Sequence, residues 1–550
     1  MVQQQQQHRI YILQFRKGEP EQEVACKVSP SKGGGRRVMY YYQDYGGGKT
    51  GGKAAQSRTL SLRRFLAMLT LSLLCVGTLF VAPVSFLSFV HTDDGGAAAA
   101  LATAARGGAA GAVTGPCSSV RNGSICCDRS SERADICFAR GDIRMHSASA
   151  SFLLVSGDNS SSSSAAAEEE ERIRPYTRKW EANVMATIDE VRLRRVSSSS
   201  SAAASSRCDV RHDVPAVVFS TGGYTGNVYH EFNDGVLPLF VTAHHLRRRV
   251  VFVILEYHDW WVTKYGDVVS RLSAFPPIDF ANDRRVHCFP EVIAGLRIHG
   301  ELTVDPARTP EGKSVADFRR LLDDAYRGRI QFLETQERRA ARKQQRHHHR
   351  RGTRPVPHLV PPRHHQNHQE VVERPRLVIV SRTGSRVIEN EADVAAVAAA
   401  VGFEVHVVRP DRTTELCKIY RELNASDAMV GVHGAAMTHF LFMRPGTVFI
   451  QVVPLGTDWA AGAYYGEPAA RLGLRYVGYK INPEESSLSR EYPAGDPVLT
   501  DPAGVAQRGW DVTKKVYLDR QNVRLDLNRF REELVRAHRY LLDARRKATV

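Results

Sequence analysis

The sequence is poor in cysteine: nine in 550 residues. That is too few for a disulfide scaffold, although several could pair in an oxidising compartment. No Gly-x-Gly-x-x-Gly fingerprint follows the strand-like run Arg376–Val380, which disfavours a dinucleotide cofactor. No Gly-x-x-x-x-Gly-Lys-Ser/Thr loop occurs, which excludes a P-loop. The most basic segment, residues 334 to 369, lacks interleaved aromatics, so its charge does not read as a nucleic-acid surface. It carries the run His347–His349 and is closed by Pro355, Pro357, Pro361 and Pro362; a solvated linker with a weak hold on acidic polysaccharide is the expectation.

One further absence sets the topology. Between Phe65 and Val90 there is no charged residue in 26 positions. At about 1.5 Å rise per residue such a helix exceeds the roughly 30 Å hydrocarbon core. Arg58, Arg63 and Arg64 precede it and Asp93 and Asp94 follow, so the positive-inside rule places the N-terminus in the cytoplasm and the bulk in a lumen. The expected organisation is a disordered tail (1–64), a single transmembrane anchor (65–90) and an Ala/Gly-rich stem (91–116). An N-terminal lobe with low-complexity serine loops (117–333), a basic linker (334–374) and a C-terminal lobe (375–550) follow. Asn122, Asn159 and Asn424 head glycosylation sequons that this topology exposes. Cys126 or Cys127 can pair with Cys137, whereas no second ligand pair completes a zinc site.

The globular part alternates strand-like and helix-like runs, an α/β pattern. In the first half Ala216–Ser220 reads as a strand, followed by the Gly-rich loop Thr221–Asn227 and by His230, Glu231 and Asp234. On a helix these three share a face, as a general base and its partner would; a polar first helical turn is the alternative. In the second half the order strand, helix, strand, helix, strand, helix, strand predicts a doubly wound sheet, with ligands at the C-terminal strand ends. Three loops fall there: Ser381–Arg386, His433–Ala436 and Pro454–Asp458. Arg382 and Arg386 can offer forked donors to a diphosphate. The small-residue turn at His433, Gly434 and Ala435 suits an anion at a helix start, or is a bare turn.

These blocks, taken together, resemble plant members of glycosyltransferase family 61. The matching stretches are Cys127–Asp128 with Arg133–Cys137 and Gly141–Asp142, Phe219–Asn227, Tyr229–Gly235, Ser381–Arg386 and Val432–His439, with Tyr464–Glu467 and Tyr476–Tyr479. The resemblance runs from about Cys117 onward and is nearest the grass-type xylan arabinosyl- and xylosyltransferases. Ala134, where relatives commonly have Ser, and the Arg/His-rich insertion depart from it. It implies a GT-B arrangement of two Rossmann-like lobes facing a cleft, the acceptor on the first and a UDP-pentose donor on the second. It also implies an inverting transfer to xylan or another glycan in the Golgi lumen, by a type II Golgi membrane enzyme able to act in a complex with other xylan-synthesis enzymes. No obligatory cofactor and no divalent metal are expected, since no Asp-x-Asp motif marks a strand end. Asp234 is the first choice of base, with His230 and Glu231 in reserve. Arg382, Arg386, His433, Gly434 and Ala435 would hold the diphosphate. A β-1,2-xylosyltransferase of N-glycans and an inactive glycan-binding relative are the alternatives.

Overall fold

The computed structural model of the chain describes residues 24–26, 38–40, 117, 119–157, 169–350 and 374–549. The expected anchor, the stem, Asn159 and the later part of the basic linker lie outside the described residues, as does nearly all of the tail. Val24–Cys26 and Val38–Tyr40 pair antiparallel and belong to a separate unit. Among the described residues no helix is long and apolar enough to cross a membrane.

From Cys117 onward the chain builds two sheets. The second is the simpler. Arg376–Val380, Glu404–Val408, Ala428–Val432, Val448–Val453 and Arg475–Lys480 form a wholly parallel five-stranded sheet. The first strand lies between the second and third, so the chain reverses its winding there. Such a reversal leaves a crevice beyond the strand ends because the connecting helices depart to opposite faces. Ala428–Val432 and Val448–Val453 are buried throughout, as parallel strands covered on both faces must be.

The first sheet has ten strands and is mixed. Its parallel heart is Ala216–Ser220 between Val251–Leu255 and His287–Ala294. The long strand Ile136–His146 then joins antiparallel and carries the sheet on through Ser151–Ser156, Val191–Ser197 and Glu170–Ile173. The Rossmann-like expectation therefore describes the parallel heart alone. Residues 124–197 form an extension the sequence does not announce, because strands such as Ile136–His146 carry Arg140, Asp142 and Arg144. Within the extension Cys127–Cys137 joins two neighbouring strands and Cys117–Cys126 fastens the segment before them, while Cys208–Cys288 ties the segment leading into the parallel heart to strand His287–Ala294.

The two sheets share one apolar layer. Helix Asp259–Leu272 buries Trp261, Tyr265, Val268, Val269 and Leu272, the spacing of a single helical face. Phe232 meets Tyr265, Phe318 and Phe442 edge-on, with centroids 5.8, 6.4 and 5.8 Å away. Phe318 belongs to Val315–Arg350, a 36-residue helix. The start of the expected linker, from Glu334, is the continuation of that helix. Arg319 on it donates to the carbonyl of Met443 at 3.0 Å and to the Asn424 side chain. The Asn424 sequon is thus committed to an internal contact, whereas Asn122 is exposed.

Phe232 should be a joint determinant of both lobes. Phe232→Ala is expected to destabilise the protein by about 3–5 kcal/mol, the usual loss on emptying a buried phenylalanine site. Urea unfolding followed by fluorescence and by far-UV dichroism should shift as one transition; a shift confined to one probe would mean that the lobes unfold independently.

Candidate active site

Two sets of strand-end residues come together where the short helix Val228–His230 packs on the 3-10 helix Ala435–Phe442. The second of these follows the small-residue turn at which the sequence predicts a helix start. It starts at Ala435, and the Met437 N–H already donates to the Gly434 carbonyl at 2.8 Å, which leaves the N–H groups of Ala435 and Ala436 as the first-turn donors without a partner inside the helix.

The cationic set lies at the winding reversal of the parallel sheet. Arg382 and Arg386 follow Arg376–Val380, and Gly434 follows Ala428–Val432. Arg386 donates to the carbonyl of His433 at 3.2 Å and Arg382 to that of Ser385 at 3.4 Å. Gly434 has φ 142°, and a Cβ there would overlap Arg382 Nη1 and come within 3.0 Å of Arg386 Nη1. The absence of a side chain is therefore what lets both guanidinium groups close on the turn. Arg386 itself has φ 56°, a left-handed conformation unusual outside glycine. It is held there by its N–H donating to the carbonyl of Gln521 at 2.7 Å. The Gln521 amide also grips both backbone groups of Leu455, at 2.9 and 3.2 Å, so one buried glutamine ties two strand-end loops together.

Among the described residues neither arginine has a carboxylate partner, and Arg386 Nε is buried without any partner. Burial, then the neighbouring Arg382, pushes Arg386 down to about 9; burial lowers Arg382 as well. Both remain protonated at neutral pH. Like charges placed together in a half-buried pocket cost several kcal/mol unless an anion joins them. His433 adds no charge: burial, then Arg386 and Arg382, lowers it to about 3. Its Nδ1 accepts from the Gln451 amide at 2.9 Å, and Gln451 in turn accepts from the Tyr476 hydroxyl at 2.8 Å. The network therefore puts the proton on Nε2, where it can be donated.

The opposing set comes from the first sheet. Two of the three residues singled out there converge and the third does not. His230 Nδ1 lies 2.7 Å from Asp234 Oδ2. Arg178 Nε donates to the same oxygen at 2.9 Å, and Asn233 donates to Oδ1 at 2.8 Å. The Asp234 side chain is 0% exposed. Burial opposes its ionisation, but the bond from His230 and the charge of Arg178 prevail and its pKa is lowered. It is a fully engaged carboxylate, placed to orient an imidazole. Glu231 turns the other way, accepting from the Gly226 N–H at 2.6 Å and from the Trp261 indole. Burial raises it to about 7, and its bonds fasten the Gly-rich loop to the core. The π-helical winding of Glu231–Val236 is what splits the face expected of an ordinary helix.

Sequence reading missed Arg178, Tyr224 and Tyr465. The Tyr224 ring stacks on His230 with centroids 4.1 Å apart. Tyr465, in a second π-helical turn, lies 5.5 Å from His433 and 5.9 Å from Tyr229, and so spans the two sets. Asp142, Cys208 and Cys288 come close together, but the two sulfurs are joined in the disulfide and offer no thiolate to a metal.

The two strand-end sites, one cationic and one carrying a carboxylate-held imidazole, supply the two kinds of group that a group-transfer enzyme uses. Residues 229–450 match the family model described as Glycosyltransferase 61. The chain is 51% identical over 431 residues to the xylan glycosyltransferase MUCI21 of Arabidopsis thaliana, covering 78% of this chain and 81% of that protein. It is 34% identical over 425 residues to the beta-1,2-xylosyltransferase XYXT1 of Oryza sativa subsp. japonica, covering 75% and 83%. To the alpha-1,3-arabinosyltransferase XAT3 of the same rice it is 35% identical over 413 residues, covering 75% and 64%. The chain belongs to glycosyltransferase family 61 and is a glycosyltransferase.

The cationic pocket gives a direct expectation. UDP should raise the unfolding temperature, and Arg386→Gln should weaken UDP binding at least tenfold, about 1.4 kcal/mol. The unliganded variant should be no less stable than the parent, since a poorly compensated charge is removed. Calorimetric titration and thermal melts read both; unchanged UDP affinity in the variant would place the anion elsewhere.

Proposed function

We propose that the chain is a Golgi-lumen pentosyltransferase of type II topology, with a GT-B arrangement, that transfers xylose or arabinofuranose from a UDP-sugar to xylan with inversion. The observation that carries the donor half is the pair of guanidinium groups at Gly434 without a carboxylate between them. The names of the relatives support the acceptor. Three disulfides suit an oxidising lumen, and the uncharged run 65–90 supports the anchor.

The base is His230 rather than Asp234. Asp234 has no oxygen free for a substrate, whereas His230 spends only Nδ1 on it and keeps Nε2 available. The acceptor hydroxyl gives its proton to Nε2 as its oxygen bonds the anomeric carbon, and the bond from that carbon to the diphosphate oxygen breaks on the opposite face. Asp234 stabilises the resulting imidazolium. Arg382, Arg386, the first-turn N–H groups and the His433 Nε2 proton meet the charge that grows on the departing UDP. Two guanidinium groups and a helix start supply what a divalent cation supplies in other transferases, so no metal requirement is expected.

The test incubates the full-length protein in detergent with UDP-xylose or UDP-arabinofuranose and xylo-oligosaccharides, with N-glycan acceptors in parallel. Transfer to the xylan series alone is expected; transfer only to N-glycans, or none by a folded protein that binds UDP, would overturn the reading. His230→Gln should lower kcat by about 10²–10⁴ while leaving UDP affinity within a factor of two. Asp234→Asn should also lower kcat by about 10²–10⁴ while leaving UDP affinity within a factor of two, because the imidazole loses the carboxylate that fixes its orientation and tautomer. An unchanged kcat would remove Asp234 as the partner of the base.

A further inference from the structure

We propose that exposed aromatic residues form a rail on which an extended, uncharged polysaccharide of pyranose rings lies across His230, with sugars stacked on Trp459 and Trp510 to one side and on Tyr224 and Trp180 to the other. The proposal rests on the acceptor reading above and extends it from one reacting sugar to the chain around it.

Among the described residues only six large hydrophobic side chains are exposed, and four of them belong to this set: Trp180 at 48%, Tyr224 at 37%, Trp459 at 52% and Trp510 at 51%. Scattered exposed aromatics need no explanation, but these are linked ring to ring. Trp510 lies 6.5 Å from Trp459, Trp459 5.5 Å from Tyr464, and Tyr464 5.5 Å from Tyr229. Tyr229 lies 5.1 Å from His230, which stacks on Tyr224. The Arg178 guanidinium is 5.5 Å from the Tyr224 ring and 5.2 Å from that of Trp180. The series therefore begins on the C-terminal lobe, passes the base and ends on the N-terminal lobe.

Its far end is held still before any ligand arrives. Arg133 and Arg178 both lie over Trp180, Arg133 at 4.8 Å, and the Tyr224 hydroxyl donates to Glu181 at 2.6 Å. Fixed rings lose little entropy on binding. The C–H faces of a pyranose match the negative face of an aromatic ring, which is the chemistry that selects a sugar for such a surface. The choice of an uncharged chain follows from the charges nearby. Arg133 is paired with Glu301, and Arg178 with Glu181 and Asp234, so among the described residues neither of the cations that lie over these rings is free for a uronic acid to seek. Because platforms stand on both sides of His230, the reacting sugar is an interior one, and the product is a branch on a continuing backbone.

Two measurements test this on the full-length protein. One is the ratio of kcat/KM for long over short xylo-oligosaccharides; the other is retardation in native gels containing soluble neutral xylan. Trp459→Ala, Trp510→Ala and Trp180→Ala should each lower the ratio about tenfold and weaken retardation, and Trp459→Phe should recover most of the loss. Equal losses on short and long acceptors, or variants indistinguishable from the parent in both assays, would overturn the rail. Stronger retardation by a uronic-acid-bearing xylan than by a neutral one would overturn the uncharged occupant. A parent retarded by xylan, with variants that are not, supports the rail even if no pentose is transferred, in which case the proposed reaction fails alone.

Discussion

Two guanidinium groups drawn together at Gly434, with no carboxylate between them, are the constraint around which the C-terminal lobe is arranged. Bringing like charges into a half-buried pocket opposes folding, so other parts of the chain must hold them there. Gln521 does so by capturing the left-handed Arg386 backbone and, through its side chain, the loop at Leu455. Gly434 does so by having no side chain, and Gln451 by fixing the His433 ring in a neutral form beside the two cations. Each contact stabilises the fold locally while leaving the positive charge unanswered. An arrangement that stores electrostatic cost at one spot and braces it from several directions is what an anion-binding site requires, because the anion recovers that cost on arrival.

The opposite wall inverts this logic. Around His230 the charged groups among the described residues are paired: Asp234 with Arg178, Arg178 also with Glu181, and Arg133 with Glu301. What remains available is one imidazole nitrogen bordered by aromatic rings. A neutral, hydroxyl-rich acceptor gains nothing from a free cation but does gain from a base and from ring faces. The asymmetry between the walls matches the asymmetry of a glycosyl transfer, in which the donor carries the charge and the acceptor carries the proton.

The C-terminal sheet was legible in the sequence because its inner strands, Arg376–Val380, Ala428–Val432 and Val448–Val453, are buried and read as apolar runs, while the intervening helices keep their own period. The loop bearing Arg382 and Arg386 could be located for the same reason: strand ends in such a sheet are where ligands sit. Less could be read in the first lobe. Charged residues within Ile136–His146 and Val191–Ser197 hide their strand character, and the pairing of Ile136–His146 with the parallel heart is long-range. The sequence put Asp234 first as base and His230 in reserve; the proposed exchange of these roles rests on Arg178, 56 residues away in sequence, and on a π-helical turn that no composition announces. Gln521, Gln451 and Tyr465 escaped notice because a single glutamine or tyrosine carries no signal until its partners are known.

Shared packing explains how the two walls can work as one site. The layer around Phe232 joins helices of both sheets, so the placement of His230 relative to the cationic pocket is set by core contacts. Tyr229 and Tyr465 continue that layer to the surface of the site, where one approaches His230 and the other His433. An in-line displacement needs its nucleophile and leaving group fixed to within a fraction of an ångström. Rigid aromatic contacts between lobes provide that more directly than loops would, which leaves the loops free to differ in the sugars they accept.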